Sequence, residues 1–216
     1  MRGLARALFE LLVPSVCPAC DAPRAPRDPL LCRPCAVRVR RLARLRAVHT
    51  AIAYEGTGLE LVRRFKFDHR HDARALLVAW LAERVRALRF DAIVPLPRHE
   101  SRVRSEGADP VHELARGLAR ATGVPLVSRA LWRAHPTPPQ TGLSLAARRA
   151  NVAHSFGARA GALAGRRVLL VDDVATTGAT LAEAARTLRR ASGARAIALA
   201  AAAGTPAMET PSTPML

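Results

Sequence analysis

Short apolar runs alternate with helical patterns along most of the chain. Strands are predicted for residues 48–54, 91–97, 167–173 and 195–202, with a further short strand at 126–128. Apolar residues three or four positions apart predict helices over residues 58–67, 72–88, 110–122, 143–151 and 180–191. The stretch 168–171 is wholly apolar, which is typical of a central parallel strand that is covered on both faces. The alternation therefore predicts an α/β fold with an open parallel sheet.

The remaining segments predict how the chain is organised. Residues 1–48 hold all four cysteines and an arginine-rich stretch, and we expect them to form a small unit with an N-terminal helix and a metal ribbon. Residues 49–204 would form the α/β domain. The Pro/Thr-rich residues 205–216 are expected to be a disordered tail, and the similar stretch 132–141 is expected to be irregular.

The apolar stretches are too short for a membrane-spanning helix, which needs roughly 18 consecutive apolar residues. Glu10 interrupts the apolar start, and no small-residue cleavage pattern follows it. We therefore expect residues 1–16 to remain in the mature protein as a short amphipathic helix. No membrane insertion and a cytoplasmic location are predicted.

The four cysteines form two pairs with a two-residue gap in each, separated by eleven residues. Cys17 and Cys20 make the first pair, and Cys32 and Cys35 make the second. Such gaps let two thiolates of each pair converge on one tetrahedral ion. Zinc suits four sulfur ligands, and iron fits the same ligand set. Because every ligand position is occupied by sulfur, a structural metal is favoured over a catalytic one.

The formal net charge of +17 leaves two interpretations open. Arginine supplies almost all of the positive charge, and Lys66 is the single lysine, so compositional bias accounts for much of the excess. The other interpretation is an anionic partner, which would be a phosphorylated small molecule or a nucleic acid. Charge alone does not separate these two partners.

The most informative segment is 168–180, where an apolar strand ends in two acids and a Thr/Gly loop precedes a helix. Asp172 and Asp173 fall at the carboxyl end of the strand, where open parallel sheets bind ligands. The loop offers backbone N–H groups, three hydroxyls and the positive end of a helix dipole, which suit a phosphate. Gly178 would let the backbone approach that anion closely. The two carboxylates suit a sugar diol, with a magnesium ion nearby.

These residues resemble the signature that binds phosphoribosyl pyrophosphate (PRPP) in type I phosphoribosyltransferases. The resemblance implies that Asp172 and Asp173 are the catalytic acids, which hold the ribose hydroxyls. It also implies that the 5′-phosphate is bound by the loop residues Val174, Ala175, Thr176, Thr177, Gly178, Ala179 and Thr180. Pro97 and Arg98 follow the strand at 91–97 and stand where this fold places its pyrophosphate loop. Arg98 suits a pyrophosphate contact and an ordinary surface charge equally well.

The whole chain resembles the ComF family, which joins a zinc ribbon to a phosphoribosyltransferase-type domain and is linked to DNA uptake. The matching pieces are the cysteine pairs, residues 54–56, 65–67 and 95–97, the stretch 137–151 and the 172–180 loop. By this resemblance, residues 137–151 form the flexible loop that closes over substrate, with Gln140 and Arg148 facing the pyrophosphate. The family usually has an aromatic residue and two amides after its pyrophosphate loop, whereas residues 105–110 here keep only the glycine.

Two hypotheses of different classes follow. In the first, the chain binds PRPP with Mg²⁺ and transfers the phosphoribosyl group to an acceptor that the sequence does not identify. In the second, it is a non-catalytic module of DNA uptake that retains the PRPP site and binds single-stranded DNA or a helicase partner. Sensing of PRPP without turnover would lie between them. Pyrophosphate release would favour the first hypothesis, and steeply salt-dependent DNA binding would favour the second.

Overall fold

The computed structural model describes residues 16–24, 30–42, 44–45, 47–98, 109–134 and 155–205. The N-terminal helix, residues 99–108, the loop with Gln140 and Arg148, the helix at 143–151 and the tail after residue 205 lie outside the described residues. Among the described residues, no helix combines the length and the apolar character that crossing a membrane requires.

A five-stranded sheet forms the centre of the α/β domain, with the order β1-β2-β7-β6-β3. Four of its strands run parallel, namely β2 (Val48–Ala53), β3 (Ala92–Pro95), β6 (Arg167–Ala175) and β7 (Ala196–Gly204). The short edge strand β1 (Arg44–Leu45) pairs antiparallel with β2. The predicted parallel sheet is therefore confirmed, with one antiparallel strand added at its edge.

Five helices accompany the sheet in the described residues. They are α1 (Arg33–Arg38), α2 (Gly56–Phe67), α3 (His71–Val85), α4 (Pro110–Thr122) and α5 (Ala179–Ala191). The start of α4 explains part of the stretch in which the sequence departs from the family pattern. Asp109 caps the helix by accepting hydrogen bonds from the N–H groups of Val111 and His112, and Pro110 occupies the first turn. Gly123 ends α4 in the left-handed conformation, as its position predicts.

The sheet separates two apolar clusters. On one face, Leu169 and Val171 of β6 pack with the buried residues of α2, α3 and α4. On the other face, Val168 and Leu170 pack with α5 and with a two-stranded antiparallel sheet. That small sheet consists of β4 (Leu131–Arg133) and β5 (Phe156–Ala158). Successive residues from Val168 to Val171 therefore serve opposite faces of the sheet.

The N-terminal unit packs on the first of these faces. Cys17, Cys32 and Cys35 are part of the same buried cluster as Leu61 and Leu77 of α2 and α3. Asp21, in the ribbon, forms ion pairs with Arg64 at the end of α2 and with Arg70 before α3. The ribbon is thus docked on the helices of the α/β domain. The division of domains at residue 48 stays a prediction.

Several predicted boundaries differ from the observed ones. Residues 131–133, at the start of the stretch expected to be irregular, form β4, because they pair with residues 156–158 from beyond that stretch. The predicted strand at 126–128 is a single bridge between Leu126 and Ile93. Helix α3 ends at Val85 rather than at residue 88. Strand β6 continues beyond residue 173 to Ala175, because Val174 and Ala175 still pair with Ala203 and Gly204 of β7.

Candidate functional site

The two predicted acids lie within β6, as expected, and the strand continues for two residues beyond them to Ala175. Asp172 pairs with Ala201 of the neighbouring strand, and Asp173 is the next residue on the pleat. Asp173 is buried, with 6% of its surface exposed, and Asp172 is partly buried. The two carboxyls are near enough for the charge of Asp173 to act on Asp172, and the charge of Lys66, which contacts Asp173, acts on Asp172 as well.

Asp173 faces helix α2, where its charge is balanced by a lysine. The Lys66 Nζ lies 2.7 Å from the Asp173 Oδ2, and both side chains are largely buried. Sequence reasoning did not identify Lys66 as part of the site. The signal available was that it is the single lysine of the chain, within the family-like stretch 65–67. The ion pair joins residues that are far apart along the chain, and no spacing rule predicts it.

Asp172 has a carboxyl that holds its proton more readily than an exposed one does. Burial and the negative charge of Asp173 raise its pKa to about 7. A hydrogen bond of 2.8 Å from the Asp173 N–H to the Asp172 Oδ1 opposes the rise, and so do the positive charges of Lys66 and Arg133. A carboxyl that protonates near neutral pH can both donate and accept hydrogen bonds.

The loop after β6 turns sharply into α5. Gly178 adopts a left-handed φ of 75° and precedes the first residue of the helix. A Cβ at this position would lie 3.1 Å from the Val48 Cγ2, so the loop is also held close to β2. The Thr177 Oγ1 accepts a hydrogen bond from the Ala179 N–H at 3.3 Å, and Thr176 is exposed. The loop therefore presents hydroxyls at the positive end of a 13-residue helix.

The end of β3 lies beside the end of β6. Pro95 pairs with Val171, and the Leu96 N–H donates to the carbonyl of Val171 at 2.8 Å. Pro97 and Arg98 follow directly and are half-buried. Parallel pairing thus brings the predicted pyrophosphate residues to the sheet edge that carries the two acids, whereas Gln140 and Arg148 lie outside the described residues.

The four cysteines converge in the N-terminal unit. Their sulfur atoms all lie within 4.8 Å of one another, and the Cys20 and Cys32 Sγ atoms are 3.6 Å apart. Four sulfurs at 2.3 Å from a tetrahedral zinc would be separated by about 3.8 Å, so the ligand set fits such an ion. Burial favours a higher pKa for the Cys17 thiol, but hydrogen bonds with the backbone of Cys32, Ala19 and Cys20 lower it to about 7. Burial and the neighbouring thiols raise the pKa of Cys35, so a bound cation would be needed to hold all four sulfurs as thiolates.

Comparison with known proteins shows which family the chain resembles. The family model described as phosphoribosyl transferase domain matches residues 102–212, just over half of the chain. Competence protein F of Haemophilus influenzae is 35% identical over 139 residues, which cover 60% of this chain and 61% of that protein. DNA utilization protein YhgH of Escherichia coli K12 is 32% identical over 183 residues, which cover 82% of this chain and 78% of that protein.

The chain belongs to the ComF family. Its fold class is accordingly the type I phosphoribosyltransferase α/β fold with four N-terminal cysteines gathered in one cluster. Among solved structures, the glutamine PRPP amidotransferase of B. subtilis complexed with ADP and GMP is 24% identical, with a TM-score of 0.44. That likeness covers 65% of this ComF chain and 30% of the amidotransferase chain.

Proposed function

We propose that this ComF chain binds PRPP with Mg²⁺ at the carboxyl edge of its sheet and transfers the phosphoribosyl group to an acceptor. The observation that carries the proposal is the meeting of three features at one edge. Two acids lie near the carboxyl end of β6, the Thr/Gly loop leads into α5, and Pro97 and Arg98 follow the adjacent strand β3. A diol, a 5′-phosphate and a pyrophosphate are the three polar groups of PRPP, and each has a matching partner.

The proposed roles follow from the chemistry of each group. The loop from Val174 to Thr180 holds the 5′-phosphate through its N–H groups and hydroxyls, and the α5 dipole favours that anion. Asp172 and Asp173 accept hydrogen bonds from the ribose hydroxyls. Arg98 contacts the pyrophosphate. A Mg²⁺ ion bound together with PRPP would neutralise part of the ligand's charge.

In the proposed reaction, an acceptor atom forms a bond to the anomeric carbon as the bond from that carbon to pyrophosphate breaks. The electron pair of the broken bond leaves with the pyrophosphate oxygen. Arg98 and the α5 end supply positive potential near the anionic groups, while the carboxylates of the site face a sugar that gains positive character. Positioning and electrostatics account for most of the expected rate enhancement.

We further propose that the cysteine cluster holds a structural Zn²⁺. All four sulfurs are used as ligands, which leaves no coordination position for a substrate. Thiols gathered for a metal are typical of a reducing compartment, and this supports a cytoplasmic location.

The direct test is calorimetric titration of the metal-loaded protein with PRPP and Mg²⁺. Wild type should bind in a magnesium-dependent manner, and the Asp172→Asn/Asp173→Asn variant should bind at least about 100-fold more weakly, because each charged hydrogen bond contributes roughly tenfold or more. Glu60→Gln, which changes an exposed acid on α2, is the matched control and should bind as wild type does. Absence of heat at millimolar PRPP from a folded wild type would rule out the ligand assignment.

A second candidate function is binding of single-stranded DNA or of a helicase in DNA uptake. It is favoured by the printed names of the relatives and by the net charge of +17. Helix α1 exposes Arg33 and Arg38 together with Val37, of which 79% is exposed. If these residues bind DNA, affinity should fall steeply with salt, and Arg33→Ala/Arg38→Ala should reduce the salt slope by about two. Binding that does not depend on salt, or that the variant leaves unchanged, would contradict this candidate.

A further inference from the structure

Lys66 occupies an unusual place in a chain that otherwise carries its positive charge on arginine. It is the single lysine among 34 basic residues, and its ammonium contacts the Asp173 carboxylate at 2.7 Å. The exposed fractions of the two side chains are 21% and 9%, so the pair is shielded from solvent. Charges paired in this way interact more strongly than surface ion pairs, which contribute little.

The position of Lys66 in α2 fixes its direction. Helix α2 begins just after the end of β2, and its last turn carries both Arg64 and Lys66. Two residues apart, these side chains point to different sides of the helix. Arg64 pairs with Asp21 of the ribbon, whereas Lys66 reaches the end of β6. The negative end of the α2 dipole also favours a cation at this point.

Lysine suits this contact better than arginine does. A compact ammonium engages one carboxylate oxygen, here Oδ2, and leaves Oδ1 of Asp173 to accept a hydrogen bond from a ligand. A guanidinium prefers to take both oxygens of a carboxylate in a fork. Of the two acids, Asp173 is the one with which Lys66 forms an ion pair.

We propose that Lys66 is a positioning residue of the ribose site, which acts through Asp173 by holding that carboxylate oriented toward a ribose hydroxyl. This inference rests on the proposed function. It assigns the direct contact with Lys66 to Asp173, whereas the influence of Lys66 on Asp172 is electrostatic. It also predicts that binding of the ribose diol depends on Lys66, whereas binding of the 5′-phosphate in the Thr/Gly loop does not.

The test is a double-mutant cycle measured by calorimetry with Mg²⁺-PRPP on the full, metal-loaded chain. Lys66→Met should weaken binding about tenfold or more, which is typical of losing a charge-assisted hydrogen bond. Asp173→Asn should also weaken binding, and adding Lys66→Met to it should cost little more, because the lysine acts through that acid. Lys66→Arg should restore only part of the affinity. Arg63→Met, which removes an exposed cation from the same helix, is the matched control and should bind as wild type does.

Inorganic phosphate provides the second readout, because it can occupy the loop but lacks the diol. Its affinity should be the same in wild type and in Lys66→Met. Equal weakening of phosphate and PRPP, or additive losses in the cycle, would assign Lys66 a general structural role and overturn the inference. If Lys66→Met does not fold, Lys66→Gln replaces it, because its amide still donates a hydrogen bond to Asp173 without carrying charge.

The possible failures are distinguishable. If wild type binds Mg²⁺-PRPP and Lys66→Met binds it equally well, the inference is wrong and the proposed function stands. If folded wild type does not bind Mg²⁺-PRPP, the proposed function fails and the inference fails with it.

Discussion

Two groups of like-charged side chains are handled in opposite ways in this molecule. In the ribbon, four cysteine sulfurs converge to within 4.8 Å of one another. Near the end of β6, Asp172 and Asp173 are adjacent on one strand. The converging thiols need a cation from outside the chain before all of them ionise. The two carboxylates are balanced from within it, because Lys66 contacts Asp173 and the charges of Lys66 and Arg133 act on Asp172.

The contrast shows where the charge that balances a cluster of like groups comes from. The ribbon gathers four thiols around a bound ion, so it is expected to respond to the loss of a ligand as a unit. The two acids depend on cations of the chain, so Asp173 is expected to respond to the loss of Lys66.

The largest effect is expected from breaking the convergence. Cys35→Ser removes one thiolate, so the bound zinc should be lost and the free energy of unfolding should fall by at least about 3 kcal/mol. Zinc content by metal analysis and thermal unfolding measure these two outcomes. Val37→Ser, which changes an exposed residue on the same helix, should leave both unchanged. One zinc per chain and an unchanged melting temperature in Cys35→Ser would contradict the proposal that all four cysteines hold a structural zinc.

An intermediate effect is expected from Asp172, which makes the stability of the fold depend on pH. Burial raises the pKa of Asp172 to about 7, above its ordinary value near 3.8, so the folded chain binds this proton more tightly than the unfolded chain. The resulting stability is present at acidic pH and is lost as pH rises through about 7. The melting temperature of wild type, relative to that of Asp172→Asn, should therefore fall between pH 5 and pH 8. Over this pH range, the free energy of unfolding that Asp172 contributes should fall by about 1 to 4 kcal/mol.

Asp91 provides a control for which the pH dependence of stability has the opposite sign. Its hydrogen bonds with Arg167 hold the pKa of its carboxyl well below the usual range. Stability from Asp91 should be present above about pH 4 and be lost in stronger acid. If Asp172→Asn and wild type show parallel stability profiles from pH 5 to pH 8, the raised pKa of Asp172 is wrong.

The smallest effect is expected from the ion pairs that dock the ribbon. Asp21→Ala removes the partner of Arg64 and Arg70, and because Asp21 is exposed, the melting temperature should fall by only about 1 to 3 °C. Zinc should nevertheless be released to a chelator faster, because the ribbon is less firmly held. Glu113→Ala removes a similar pair of arginine contacts, one with Arg74 of α3 and one with Arg116 within α4, and it should not change the rate of zinc release.

The ease of prediction from sequence follows the same contrast. The cysteine cluster is confirmed, because ligands at short spacing are brought together by the local chain. The strands and helices of the sheet are also confirmed, since apolar periodicity is a local signal. The Lys66–Asp173 pair and the β4–β5 pairing were missed, because each joins segments that are distant in sequence. The extension of β6 past residue 173 to Ala175 was also missed, because it depends on pairing with β7 rather than on the residues of β6.

Strand β7 lies between β2 and β6 and is made largely of alanine. Ala200, Ala201, Ala202 and Ala203 are each 0–1% exposed, so single methyl groups fill the space between the sheet and its covering layers. An alanine scan gives no information at these four positions, because they are already alanine. A valine scan is the informative experiment, since each added pair of methyl groups overfills a closed space. The centre of this sheet is therefore mapped by enlarging side chains, whereas its flanking strands are mapped by truncating them.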